Sequence, residues 1–237
     1  MIKLEFCTSL FIIKKEAGKL LIYGIVFVAG MISGNFLNVC LEHFFQKRAV
    51  KENHKQYLKK RFDILTLGAV NSILWMLTFV FCGYSADSIL SCFIILILLA
   101  VSIIDWYIFE IPAKLTLLFA IMGSIRLVFD WTRCYNAIAG GAAALIFLLF
   151  FYWITKGKGI GGGDIKLMAA AGLYLGFECC IVAFLFGCVY ACIIHTFRMR
   201  FFNAGRIFAL GPYLAAGIIT AIWFGADIVL DYRNLMC

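Results

Sequence analysis

The sequence predicts an all-α fold: a polytopic transmembrane helix bundle of about eight spans, with six or seven as the alternatives. Three observations predict it. Residues of the AVILMFWYC set fill 64% of the 237 positions, against the roughly 45–50% apolar share of soluble domains. Only 14% are charged, too few to clothe a soluble domain of this size, and the mean hydropathy is +0.99. The apolar residues also run in unbroken blocks such as Phe93–Ile104, without the alternation a transmembrane strand needs. Disorder is excluded, because disordered chains are poor in aromatics and this one has 24 Phe.

A hydrocarbon core takes about 20 residues of helix. Spans are expected near Leu20–Leu41, Ile64–Cys82, Ile89–Ile104, Leu115–Phe129, Ala137–Ile154, Ile165–Leu175, Ile181–Thr196 and Ile207–Leu230. The sixth is short. The first apolar stretch is too long for a secretory signal and has no small-residue cleavage site close behind it, so it reads as a retained span.

Basic residues stay in the cytoplasm and set the orientation. With the loop carrying Lys47, Arg48, Lys51, Lys55, Lys59, Lys60 and Arg61 inside, Lys114, Lys156, Lys158, Lys166, Arg198, Arg200 and Arg206 follow. That places 14 basic residues inside and 7 outside, with an external N-terminus. Four lysines ahead of the first span run against this arrangement. The net charge of +8 therefore points to anionic lipid headgroups rather than nucleic acid.

The ten cysteines form no C-x-x-C pair. Cys40, Cys82, Cys92, Cys180, Cys188 and Cys192 fall within spans or at their ends, where thiols pack as small apolar groups. Cys7, Cys134 and Cys237 could meet on the outer face. His43, His54 and His195 lack ligand spacing, so no metal site and no cofactor are expected. The aromatic runs Phe81–Tyr84 and Phe147–Trp153 read as lipid contact and interfacial belts.

Ionisable groups at membrane depth are costly and are candidates for function. Glu42, Asp63, Asp87, Asp130, Glu178 and Asp231 sit at helix ends, and Asp227 is ambiguous. Asp105 closes an apolar run, and Asp164 opens the sixth span after Gly157-Lys158-Gly159-Ile160-Gly161-Gly162-Gly163. One span runs inward and the other outward, so both acids belong near the same membrane face. Two carboxylates in one low-dielectric site hold one proton between them. One can deprotonate water while the other polarises a peptide carbonyl. The bland alternative is two helix-end acids facing solvent or lysines. The spacing Gly157-x-Gly159-x-x-Gly162 formally matches a dinucleotide fingerprint, but no strand precedes it. Glycine here lets backbone pass close to the aspartate and leaves room for an extended peptide.

These residues resemble a known family, the type IV prepilin peptidases, membrane aspartic proteases with a GxGD motif. Gly161-Gly162-Gly163-Asp164-Ile165-Lys166-Leu167 resembles the family's G-x-G-D-x-K-L, and Asp105 with Glu110-Ile111-Pro112 is similar to its first aspartate with a downstream I-P or L-P. Gly34-Asn35-Phe36-Leu37-Asn38-Val39 resembles G-S-F-L-N-V, with Asn35 in place of Ser. Ala209-Leu210-Gly211-Pro212-Tyr213-Leu214-Ala215 is similar to F-G-P-x-L-A. The resemblance implies Asp105 and Asp164 as the catalytic pair of an aspartic endopeptidase of the bacterial inner membrane. Its substrates would be prepilin- or pseudopilin-like membrane proteins, cut after the Gly of a short basic leader at the cytoplasmic face. Gly161 and Gly163 are then expected to border the substrate, while Lys166, near the start of the sixth span, either snorkels to the interface or tunes the aspartate pair or holds the leader.

Read this way, residues 1–42 hold the N-terminal segment and first span, 43–62 a short basic loop, and 63–237 the peptidase bundle with its core at 89–197. Bifunctional members carry a long insert with two zinc-binding C-x-x-C pairs and also N-methylate the product. Here that stretch has about 20 residues and no cysteine between Cys40 and Cys82, which puts methyltransferase activity in doubt. The same residues also fit two other functions: an ion or proton-coupled transporter using the same two acids, and a catalytically silent scaffold of a pilus or secretion assembly. A transporter should show internal repeats, and none is evident.

Overall fold

A computed structural model describes residues 2–52, 64–157, 159–202 and 208–236. Eight α-helices account for nearly all of them: α1 (Ile2–Glu52), α2 (Ile64–Cys82), α3 (Ala86–Ile108), α4 (Ala113–Phe129), α5 (Cys134–Ile154), α6 (Gly162–Leu175), α7 (Phe177–Phe202) and α8 (Gly211–Met236). The all-helical expectation holds. Six of the eight are long and apolar enough to cross a membrane, while α4 and α6, with 17 and 14 residues, are shorter than the rest. The protein is a multi-pass membrane protein. The helix of the first expected span does not stop near Leu41 but continues to Glu52, because nothing between these positions breaks a helix. Most of the basic stretch beyond it, including Lys55, Lys59, Lys60 and Arg61, lies outside the described residues, as do Lys158, Arg206 and Cys237.

The chain divides into two compact units, residues 1–83 and 84–237. In the first, α1 and α2 pair through small residues. A Cβ on Gly30 would stand 2.7 Å from the Ser72 Cα, and one on Gly34 would stand 2.8 Å from the Gly68 Cα. Backbones this close gain the dispersion contact that lipid cannot supply. The Asn71 amide donates across the pair to the Gly30 carbonyl at 2.9 Å and to the Ser33 hydroxyl at 3.0 Å.

The second unit contains both candidate aspartates. Its core gathers Ile94, Leu98 and Val101 of α3, Phe119 of α4, Leu167 and Met168 of α6, and Leu214 and Ile218 of α8. Glycines again permit the closest approaches. A Cβ on Gly172 would meet the Gly140 backbone at 2.5 Å, locking α6 to α5, and one on Gly217 would meet the Ala183 carbonyl at 2.3 Å, locking α8 to α7. At one end of the unit, Arg126 of α4 ties three helices together. It donates to the Tyr174 carbonyl at 2.7 Å and to the Asp87 carboxylate at 2.9 Å, and its guanidinium lies 4.7 Å over the Tyr174 ring. The Tyr174 hydroxyl in turn meets Ser91 at 2.7 Å. In the turn between α4 and α5, a hydrogen bond from the Thr132 hydroxyl and the nearby Arg133 hold Asp130 below the usual carboxylate range.

Candidate active site

Eighteen residues separate Asp87 from Asp105 along α3, so the second lies about 27 Å from the first, at the opposite end of the unit from the Arg126 cluster. The helix ends one turn after Asp105, at Ile108. Phe109 turns into the left-handed region (φ 57°) and donates its N–H back to the Asp105 carbonyl at 2.9 Å. A left-handed conformation in a bulky residue is costly and marks a constrained position. Pro112 then caps α4 with φ −62°. The turn from α3 into α4 is therefore fixed by one strained residue and one proline, and it holds Ile111 beside the start of α6.

Asp164 sits in the first turn of α6, where the helix dipole favours a carboxylate. Gly161 precedes the helix in an extended conformation and donates its N–H to Asp164 Oδ2 at 3.2 Å. Gly163 lies against Ile111: a Cβ there would stand 2.8 Å from the Ile111 Cβ. Removing that side chain brings the start of α6 against the turn that follows Asp105.

Both carboxyl groups are buried, Asp105 at 5% and Asp164 at 8% exposure, and they stand close enough for their charges to interact. Each accepts one backbone N–H. Asp105 Oδ2 takes its hydrogen bond from Gly211, the first residue of α8, at 2.8 Å. Asp164 Oδ1 is buried without a hydrogen-bond partner among the described residues. An orphaned buried acceptor in a native fold calls for an explanation, and a reacting group is one. The arrangement can share a proton, bind one water and, through that water, carry out acid–base chemistry.

The two acids are thus brought together. Gly161 and Gly163 border them, the first through its N–H and the second through packing on Ile111. Lys166 is exposed and, two positions after Asp164, projects from another face of α6. The sequence reading did not assign a role to Gly211. Its signal was available, since the Gly211-Pro212 pair at a helix entry leaves one free N–H beside a residue without a side chain. A Cβ there would stand 2.7 Å from Asp105 Oδ2.

Apolar helices with a buried carboxylate pair at one end define the class: a helical membrane protein built around a titratable site. Residues 92–196 match the type IV leader peptidase family, a stretch that contains both aspartates. Named relatives agree. A prepilin leader peptidase/N-methyltransferase of Bacillus subtilis (strain 168) is 31% identical over 159 residues, covering 65% of this chain and 62% of the relative. One from Pseudomonas putida is 29% identical over 190 residues, covering 77% and 65%, and one from Burkholderia pseudomallei (strain 1026b) is 34% identical over 143 residues, covering 56% and 45%. The chain therefore spans less than two thirds of the length of these relatives. No solved structure matches it at comparable significance.

Proposed function

We propose that this protein is a membrane aspartic endopeptidase that removes the short basic leader from prepilin-like substrates, with Asp105 and Asp164 as its catalytic pair. The observation that carries the reading is the site itself: two buried carboxylates close enough for their charges to interact, one with an oxygen that no described protein group satisfies. In the reaction, the ionised carboxylate takes a proton from water as the water oxygen bonds to the carbonyl carbon. The protonated partner gives its proton to the carbonyl oxygen, leaving a gem-diol. As the C–N bond breaks, a carboxyl proton passes to the departing nitrogen and a diol proton returns to the other carboxylate. The enzyme ends with the one shared proton it began with.

The two aspartates act as a unit, so their apparent titrations belong to the pair. Gly161 and Gly211 hold the carboxylates from outside with backbone N–H groups, and an extended substrate backbone lies along the glycine-lined start of α6. Lys166, at the rim, contacts the incoming chain or lipid headgroups. The bias of basic residues toward one face supports a site at the cytoplasmic surface and anionic lipid around it. The proposal covers the peptidase half of the relatives' double name.

The test is direct. Purified protein in lipid is given a synthetic substrate with a short basic leader, a Gly and an apolar segment, and the products are weighed by mass spectrometry. Cleavage at the single bond after the Gly is expected. An intact substrate, under conditions where the protein is folded and the substrate is inserted, would remove this reading.

A further inference from the structure

His195 lies on α7 and is only 7% exposed. Its ring stacks on Phe208, with centroids 4.2 Å apart and planes 26° from parallel, and Phe208 stands edge-on to Tyr213 at 5.9 Å. Neither ring nitrogen has a hydrogen-bond partner among the described residues, nor does the Tyr213 hydroxyl. Phe208 belongs to the short non-helical segment that leads into Gly211, and Gly211 delivers its N–H to Asp105. Three residues along α7 from His195, hence on the same face, the Arg198 guanidinium lies 4.3 Å over the ring of Trp106, the residue after Asp105. One face of α7 thus grips the chain on both sides of the Asp105 carboxylate. Arg198 holds the residue that follows it, and His195 holds the segment whose N–H it accepts.

We infer that His195 is a positioning residue for the aspartate pair, its ring face setting Phe208 and, through that segment, the Gly211 N–H that orients Asp105. The inference rests on the reading of Asp105 as half of the catalytic pair. The ring face, not the proton, carries the effect. A general acid or base needs a hydrogen-bonded partner to exchange with, and the imidazole nitrogens have none among the described residues. A buried polar group without a partner also costs stability, whereas a phenyl ring offers the same flat surface with nothing left unsatisfied.

The measurement is kcat, KM and thermal unfolding for the wild type, His195→Phe, His195→Ala, His195→Gln and Asp105→Asn in the cleavage assay. His195→Ala is expected to lower kcat by about 10- to 100-fold, as a displaced carboxylate does, with KM within about twofold. His195→Phe is expected to keep near-wild-type kcat and to raise Tm by about 2–4 °C. Undiminished kcat in His195→Ala overturns the inference. So does a folded His195→Phe as slow as the alanine variant, because the nitrogens would then carry the effect. Should His195→Ala not fold, the other pair decides: an active Phe variant with an impaired Gln variant supports the stack, and the reverse overturns it. A wild type as inert as Asp105→Asn sinks the peptidase reading and this inference with it. An active wild type whose His195 variants all match it sinks the inference alone.

Discussion

Replacing either Asp105 or Asp164 by asparagine lowers cleavage by on the order of 10³-fold or more, and the double replacement does little beyond either single change. The magnitude follows from what the amide cannot do. Asparagine keeps the size of the side chain and an oxygen able to accept the N–H of Gly211 or Gly161, so the packing around α3, α6 and α8 survives. It cannot take a proton from water at any working pH, and with one carboxylate gone no shared proton remains. The lack of additivity follows because a pair acting as a unit is lost when either member goes. Kinetics on the three variants, with unfolding curves to show that each is folded, check both statements. A single variant that retained a tenth of wild-type activity would be incompatible with a two-carboxylate mechanism.

Gly211→Ala is the second large effect, expected to reduce kcat by about 10- to 100-fold in a folded protein. The added Cβ would stand 2.7 Å from Asp105 Oδ2 and 3.0 Å from its Cγ, so the carboxylate has to rotate away from the N–H that orients it. Alanine is otherwise welcome at the start of a helix. Gly162→Ala is the natural contrast. That glycine adjoins the same site but has nothing within 4 Å of an added Cβ, so its variant leaves the Asp105 carboxylate in place and acts on KM, through the substrate path at the start of α6, rather than on kcat. Equal losses in the two would mean that crowding of Asp105 is not the cause.

The bundle was legible because a bilayer imposes length and apolarity on every crossing segment, and the blocks around Phe93–Ile104 and Ala137–Ile154 carry little else. The two aspartates were legible for the complementary reason: a carboxylate closing or opening such a block is expensive, and few of this chain's acids are placed that way. What the sequence leaves hidden is pairing across distance. Gly211 reaches Asp105 over 106 positions, and no local pattern encodes which N–H a carboxylate accepts. The Gly140–Gly172 contact reads in sequence as generic small residues until the helices are seen together. His195 shows only a lack of ligand spacing in the sequence, which says nothing of its stack on Phe208 in the segment leading to Gly211. The continuation of α1 to Glu52 was missed because a span prediction tracks apolarity, while a helix can continue through polar residues that do not break it.

The central claim is that Asp105 and Asp164 hold one proton between them, and infrared spectroscopy reads it most directly. Spectra of the lipid-reconstituted protein at neutral pH, compared between the wild type and each asparagine variant, isolate the carbonyl stretch of a protonated carboxylic acid. One such band is expected in the wild type, shifted in frequency or lost in both Asp105→Asn and Asp164→Asn, because either change removes the carboxylate that shares the proton. A band left unchanged in either variant, or its absence from the wild type, would contradict the claim.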